Sequence, residues 1–374
     1  MRVRGALLRE MGRPGPYAQT QPLEIVDFEL DAPGPGEVLV RIHAAGLCHS
    51  DLSVINGSRP RVMPMVLGHE AAGEVMALGE GVEELAVGDH VVMAFVPSCG
   101  HCGPCLDGRA ALCEPGAAAN AAGTLLGGGR RLHGGGQAIL HHHLGVSGFA
   151  EAAVVSARSA VRVDPGLPYE VAALFGCAVL TGVGAALYSA RIKPGQSVAV
   201  FGLGGVGLSA LLGARLAGAS QIVAVDVVEA KLELASSLGA THTVRGGPDA
   251  VAAIRKLTGG GAERVIETAG HAAVLAQAYA ATRRGGVTVT VGLPAPDQQL
   301  HIPAVSLVAE EKTIRGSYLG SAVPARDIPR LVALHHAGQL PVEALLTDRL
   351  SLEEINLGFD RLAEGHAVRQ AIIL

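Results

Sequence analysis

The stretch VAVFGLGGVGLSALLGARL, residues 198–216, limits the folds open to this chain more than any other. An apolar run is followed by Gly202, Gly204 and Gly207 in G-x-G-x-x-G register and then by a helical pattern. Asp226 closes the next apolar run, nineteen residues after Gly207. A lone glycine match is weak, but strand, glycine turn, helix and a later acidic residue together describe a dinucleotide-binding βαβ unit. Gly202 permits the tight turn, Gly204 lets the backbone approach a pyrophosphate, and Gly207 lets the helix lie against the sheet. The helix N-terminus offers free N–H groups to the phosphates, and the spacing of Asp226 suits a bond to an adenosine ribose.

The surrounding texture supports that unit. SVAVFG, QIVAVD, THTV, RVIETAG and GVTVTVG are continuous apolar runs, and helical patterns such as EAKLELASSLG and DAVAAIRKLTG separate pairs of them. Such alternation predicts a parallel sheet covered on both faces. Before about Glu170 the chain instead reads as β-rich, with valine runs cut by Gly and Pro in GEVLVRIHAAGLC, HEAAGEVMALGEGV and VGDHVVMAF, and with strands resuming in GFAEAAVVSARSAVRV. The Gly/Ala-rich stretch from Gly116 to His143 reads as a long loop. After about Ser321 the pattern turns helical. Ser351 and Glu354 make a capping box, Ile355, Phe359 and Leu362 share a face, and Gly365 ends the helix. A length of 374 residues suits two domains.

Composition excludes several function classes. A net charge of −5 with scattered Lys and Arg gives no nucleic-acid footprint, and 3% aromatics with no Trp leave no base-stacking platform. Glycine punctuates every long apolar stretch, so no membrane span is expected. The N-terminus does not read as a signal peptide. A cytoplasmic location is expected, where thiols stay reduced and clustered cysteines favour metal over disulfide.

The chain has six cysteines. Cys99, Cys102, Cys105 and Cys113 are spaced C-x2-C-x2-C-x7-C, and four thiolates in one short lobe can close a tetrahedron around zinc. An iron–sulfur cluster is the competing reading. It is disfavoured because the fourth cysteine is distant and is followed by Glu rather than Pro. Cys48 lies in GLCHSD, His69 in GHE and Cys177 in FGCAVLTG. Two thiolates and an imidazole leave a fourth position open, as a catalytic zinc needs. Taken singly, each is more often a buried structural residue.

With these pieces in order, the sequence resembles the zinc-dependent medium-chain alcohol dehydrogenase family of the two-zinc type, along nearly its whole length. The resemblance rests on GLCHSD, GHEAAGEV, the four-cysteine lobe, CAVLTG, GLGGVG and Asp226. It implies an α/β fold, with a GroES-like β-rich catalytic domain over 1–178 carrying a structural-zinc lobe at 96–115. A Rossmann NAD-binding domain with a doubly wound parallel sheet follows over 179–321, and 322–374 returns to the catalytic domain. It implies two zinc ions per chain, one on Cys48, His69 and Cys177 and one on the four-cysteine lobe. Glu70 would stand behind the catalytic zinc, Asp51 would orient His69, and Ser50 would take the alcohol proton.

Relatives often carry a histidine three residues after that serine. Here Ser53 stands there, which leaves the last step of a proton relay in question. The cofactor would contact Thr181, Gly202, Gly204, Gly205, Val206, Gly207, Asp226, Lys231 and Arg369, with His49 where several relatives have a pyrophosphate-binding Arg. Arg59, Phe95, His143 and Leu144 match pocket positions. The run HHH at 141–143 tempts a metal assignment, but an edge of the pocket is the simpler reading. The implied reaction is hydride transfer between a primary alcohol, aromatic or allylic ones included, and NAD. A thiol-adduct formaldehyde dehydrogenase is the enzymatic alternative, and a non-catalytic NADH-binding zinc protein the other. The segment KTIRGSYLGS resembles the family's sheet edge and implies a homodimer or homotetramer.

Overall fold

The computed structural model describes residues 1–136, 139–365 and 367–374. The chain forms two compact units. The first comprises Met1–Cys177, Val323–Ala337 and Pro341–Leu374, the second Ala178–Ala322 with Gly338–Leu340.

The first unit is built on antiparallel ladders. Valine-rich strand Glu37–Gly46 pairs on one edge with Glu70–Leu78 and on the other with Ala152–Ser156 and Arg369–Ile373. Val38, Val40 and Ile42 alternate into its core with Val75, Val91, Phe149 and Phe359. The C-terminal region is therefore not only helical. Leu346–Leu350 and Arg369–Ile373 are strands, paired in parallel and joined to the sheet through Gly46, Ala45 and Ala44. Beyond the last helix, RQAII is short enough to read either way by periodicity. The expected capping box at Ser351 and Glu354 is present, and Ile355, Phe359 and Leu362 are buried together.

A second sheet in this unit runs Leu132–Gly134, Leu23–Leu30, Arg2–Leu8, Met65–Val66 and His141–His142 among the described residues. These elements correct the expectation of one long loop over 116–143, a span that includes residues 137 and 138, outside the described residues. Glu114–Ala122 is an α-helix with Pro in its first turn, and the Cys113 sulfur accepts from Gly116 N–H at its start. Its alanines carry no side-chain entropy cost, so helix is favoured despite the lack of apolar period. Leu132 and Leu140 supply the buried contacts of the strands that follow.

The second unit carries six parallel strands among its described residues. Their order is His242–Arg245, Gln221–Asp226, Ser197–Phe201, Ala262–Glu267, Thr282–Thr290 and Thr313–Gly316. Numbered along the chain this is 3-2-1-4-5-6, the doubly wound order whose ligand crevice lies at the carboxyl ends of the strands where the order reverses. The glycine turn sits there. Gly202 has φ +85°, and a Cβ on Gly207 would overlap the Gly202 carbonyl oxygen. Thr268 Oγ1 donates to that same oxygen at 2.8 Å.

His142 shows how closely the first unit is packed. It is fully buried, and its Nε2 accepts from Arg131 N–H at 3.1 Å. Burial pushes its pKa down from 6.5 to about 3. Between those values the unfolded chain binds a proton here that the native chain does not. Stability should therefore fall as pH drops through this window, by about 1.4 kcal/mol per pH unit from this group. Urea unfolding of His142→Gln, which keeps an acceptor but cannot titrate, should show a shallower loss than the parent from pH 6.5 down to 4. Parallel curves would mean that His142 is protonated in the native state.

Candidate metal and dinucleotide sites

Three segments of the first unit deliver one side-chain cluster. Cys48 ends the turn after strand Glu37–Gly46 and stands at the start of helix His49–Ile55. His69 immediately precedes strand Glu70–Leu78, Glu70 opens it, and Cys177 follows helix Tyr169–Leu174. One ligand atom from each of Cys48, His69, Glu70 and Cys177 lies within 4.8 Å of all the others, and all four residues are buried. Their electrostatics are strongly coupled. Contact with Cys177 holds the Cys48 thiol well below its usual range. Burial would lower His69, but the negative field of Asp51 and Cys48 outweighs it and raises the imidazole well above its ordinary value. Burial pushes Glu70 up to about 8 against the opposing pull of Arg369.

The donor set fits a zinc ion. His69 Nδ1 is 3.1 Å from Asp51 Oδ1, which fixes the ring and leaves Nε2 facing the thiols. That Nε2 is buried without a hydrogen-bond partner among the described residues. Buried polar atoms are rarely left so, and a cation would satisfy this one together with two thiolates. Glu70 is differently engaged: Arg369 Nη1 lies 3.1 Å from its Oε1 and also donates to Leu47 O at 3.0 Å. Arg369, expected among the cofactor contacts, is buried and paired with Glu70, a contact that its sequence neighbours give no sign of.

The four-cysteine lobe forms a second cluster. Cys99, Cys102, Cys105 and Cys113 bring their sulfurs within 4.8 Å of one another, and none is in a disulfide. Cys113 Sγ accepts from Cys99 N–H at 3.1 Å and Gly116 N–H at 3.4 Å, and Cys99 Sγ from Cys102 N–H at 3.3 Å. Such N–H···S bonds favour thiolate. The His101 backbone contact helps hold Cys99 at about 7, while burial and neighbouring sulfurs push Cys105 up to about 12. Four sulfurs with that tension among their protons suit a tetrahedral ion.

The other expected residues are placed as follows. Asp51 is fully buried, and Ser50 is half-buried beside it on the same helix. Ser53 Oγ donates to His49 O at 2.7 Å, and His49 itself is exposed. Phe95 is buried edge-on to His69, with ring centroids 5.4 Å apart, and Asn120 of the unforeseen helix holds the Phe95 carbonyl at 2.9 Å. His143 and Leu144 are buried, whereas Arg59 is half-exposed. His143 reaches Asp51 rather than standing alone, with Nδ1 3.2 Å from Oδ1.

In the second unit, Gly204 caps helix Gly205–Leu216, and a Cβ built on it would meet nothing within 4 Å. The backbone is therefore open where a pyrophosphate would approach, above the first-turn N–H groups of Gly205, Val206 and Gly207. Asp226 closes strand Gln221–Asp226. Its Oδ2 accepts from Leu203 N–H at 2.6 Å and its Oδ1 from Val228 N–H at 2.9 Å, so the carboxylate is locked to the glycine turn itself. Lys231 is half-buried on helix Glu229–Ser237. Thr181 Oγ1, on helix Ala178–Gly184, is buried without a partner among the described residues. These features fit a dinucleotide.

Comparisons with known proteins identify the family. The alcohol dehydrogenase GroES-like domain model matches residues 34–165, and the zinc-binding dehydrogenase model matches residues 205–337. The chain is 39% identical to the NDMA-dependent alcohol dehydrogenase of Amycolatopsis methanolica, over 100% of this chain and 99% of that protein. It is 40% identical to geraniol dehydrogenase of Castellaniella defragrans, over 99% of this chain and 97% of that one. The crystal structure of benzyl alcohol dehydrogenase from Acinetobacter calcoaceticus superposes with a TM-score of 0.93 at 34% identity, covering 100% of this chain and 99% of that one. With such identity along its full length, the chain belongs to the zinc-dependent medium-chain alcohol dehydrogenase family, oxidoreductases that interconvert small alcohols and aldehydes with a nicotinamide cofactor.

Proposed function

We propose that this alcohol dehydrogenase holds two zinc ions per chain and uses NAD to interconvert a primary aromatic or allylic alcohol with its aldehyde. The observation that carries the reading is the buried cluster of Cys48, His69 and Cys177 with His69 Nε2 unpartnered. These three would hold the catalytic ion, and Cys99, Cys102, Cys105 and Cys113 the structural one. Catalytic zinc supplies a Lewis acid that favours loss of the substrate's hydroxyl proton near neutral pH.

The chain's own residues would do the rest. Ser50 accepts the substrate proton, while Asp51 orients His69 through the 3.1 Å contact. Ser53 already donates to His49 O, so its hydroxyl hydrogen is committed and it stands outside a proton path. Phe95 offers apolar surface edge-on to His69, and Leu144 is a further buried apolar side chain in the segment after His143. That suits an apolar substrate, in keeping with the geraniol and benzyl alcohol named for two relatives. The six reduced thiols suit a cytoplasmic enzyme. Strand Thr313–Gly316 ends the parallel sheet, and Val305 and Val308 are 72% and 82% exposed on helix Ala304–Ala309, which supports a homodimer or homotetramer.

Elemental analysis should give two zinc per chain, and iron with acid-labile sulfide would overturn the assignment of the lobe. Cys113→Ser should lose one zinc and much stability, because ligation and folding are linked in a closed site. Cys48→Ser should lose the other zinc and turnover while staying folded. A stable Cys113→Ser protein with both ions would contradict the structural role.

NAD selectivity follows from Asp226. A 2′-phosphate would meet its carboxylate, and Val227, Val228 and Glu229 offer no compensating cation. The penalty is about 3 kcal/mol, or roughly two orders of magnitude in kcat/KM in favour of NAD. Asp226→Ser should narrow the ratio from both sides, at some cost in stability because Leu203 N–H and Val228 N–H lose their acceptor. Equal kcat/KM for the two cofactors in the parent enzyme would remove Asp226 as selector.

A further inference from the structure

The third residue of the HHH run is not merely a wall of the pocket. His143 is 1% exposed, and its Nδ1 lies 3.2 Å from Asp51 Oδ1. His69 Nδ1 reaches that same oxygen at 3.1 Å, and Gly68 N–H donates to it at 3.3 Å. The rings of His69 and His143 meet edge to face at 87°, with centroids 5.6 Å apart. Alignment of the His143 contact is poorer than that of His69, so it is chiefly an electrostatic hold on the carboxylate.

The backbone builds this position. His141 and His142 pair in parallel with Met65 and Val66, which carries His143 alongside the segment leading to His69. Phe149 N–H then donates to Leu67 O and Gly148 N–H to Gly68 O, so the chain after His143 returns to clamp the same segment. Ser147 Oγ accepts from His143 N–H, while Val146 and Ser147 N–H both donate to the His143 carbonyl. Leu144 and Ser147 adopt φ of +52° and +55°, left-handed conformations that side chains favour little and that the surrounding bonds must hold.

We propose that His143 is a positioning residue that acts through Asp51 on His69, holding the carboxylate in the one rotamer that presents the His69 imidazole to the catalytic zinc. The inference rests on the reading of His69 as a zinc ligand. A carboxylate bound only by His69 and one backbone N–H can swing, whereas a second imidazole nitrogen held 3.2 Å from the same oxygen restrains it. Outer partners of this kind tune both retention of a metal and the geometry of its ligand.

The test uses zinc-loaded and cobalt-substituted full-length enzyme. His143→Phe keeps the ring volume and removes the N–H, whereas His143→Asn restores an N–H near the Nδ1 position. Zinc content should stay at the parent value in both. Release of catalytic zinc to a chelator should be about tenfold faster in the Phe variant. The visible bands of the cobalt enzyme should shift, and kcat should fall more than KM rises. The Asn variant should recover most of each change. Parent-like release and spectra in the Phe variant would overturn the proposal, as would equal changes in Phe and Asn, which would assign His143 to packing. Loss of a further zinc with His143 would make it a ligand instead and overturn it too. Cys48→Ser serves as the separate control: if it keeps its full zinc complement, the reading of the catalytic site fails, whatever His143 does.

Discussion

One carboxylate oxygen organises the catalytic half of this enzyme. Asp51 Oδ1 gathers Gly68 N–H and His69 Nδ1 from one stretch of chain and His143 Nδ1 from another. Asp51 itself sits on a helix that begins at Cys48. A single buried acceptor thereby ties one sulfur-bearing segment to the histidine-bearing one and to the loop after the HHH run. Burial alone would raise the Asp51 pKa, yet the surrounding imidazoles keep it below the usual carboxylate range. The acceptor therefore stays ionised at the pH where its donors need it, and the geometry of the cluster is set before any ion arrives.

The dinucleotide half follows the same economy of contacts. Asp226 accepts from the N–H of Leu203, inside the glycine turn, and from Val228 beyond the strand. The group that would meet the ribose thus also shapes the turn that would meet the pyrophosphate. Gly202 and Gly207 allow this because no side chain intervenes: Thr268 fills the space and bonds the Gly202 carbonyl. Changing Asp226 to alter cofactor preference therefore acts on the turn as well, and any such variant mixes recognition with stability.

Much of this was legible in the sequence because the relevant signals are short-range. The glycine register, the apolar runs of the parallel sheet, the Ser351–Glu354 cap and the spacing of the four-cysteine lobe each lie within a few turns of chain, where local physics fixes structure. The helix at Glu114–Ala122 was missed because alanine gives it propensity without periodicity, and loop composition resembles that pattern. The strand Arg369–Ile373 was missed because its partner, Glu37–Gly46, is over three hundred residues away in sequence. The pairing of Arg369 with Glu70 and of His143 with Asp51 was beyond reach for the same reason. Nothing adjacent to either residue marks its partner, and only the sheet register brings them together.

That long-range register also settles the charge balance of the site. With Cys48 and Cys177 as thiolates and with Asp51 and Glu70 ionised, four negative groups would share one buried region, facing Arg369 beside Glu70 and the His69 imidazole, whose pKa the same negative field raises. The negative field of Glu70 and the cysteines in turn raises the Arg369 pKa, despite a burial that would lower it. Unpaired buried charge costs several kcal/mol per group, so the remaining excess of negative charge could not persist. The protonated forms are favoured instead: burial pushes Glu70 up to about 8, and contact with Cys48 together with burial holds Cys177 well above its usual thiol range. A divalent cation would displace those protons and bring the balance near neutrality. Arg369 lies 3.1 Å from Glu70 Oε1 and so competes for that carboxyl, whereas Cys48, His69 and Cys177 are the residues that would hold an ion.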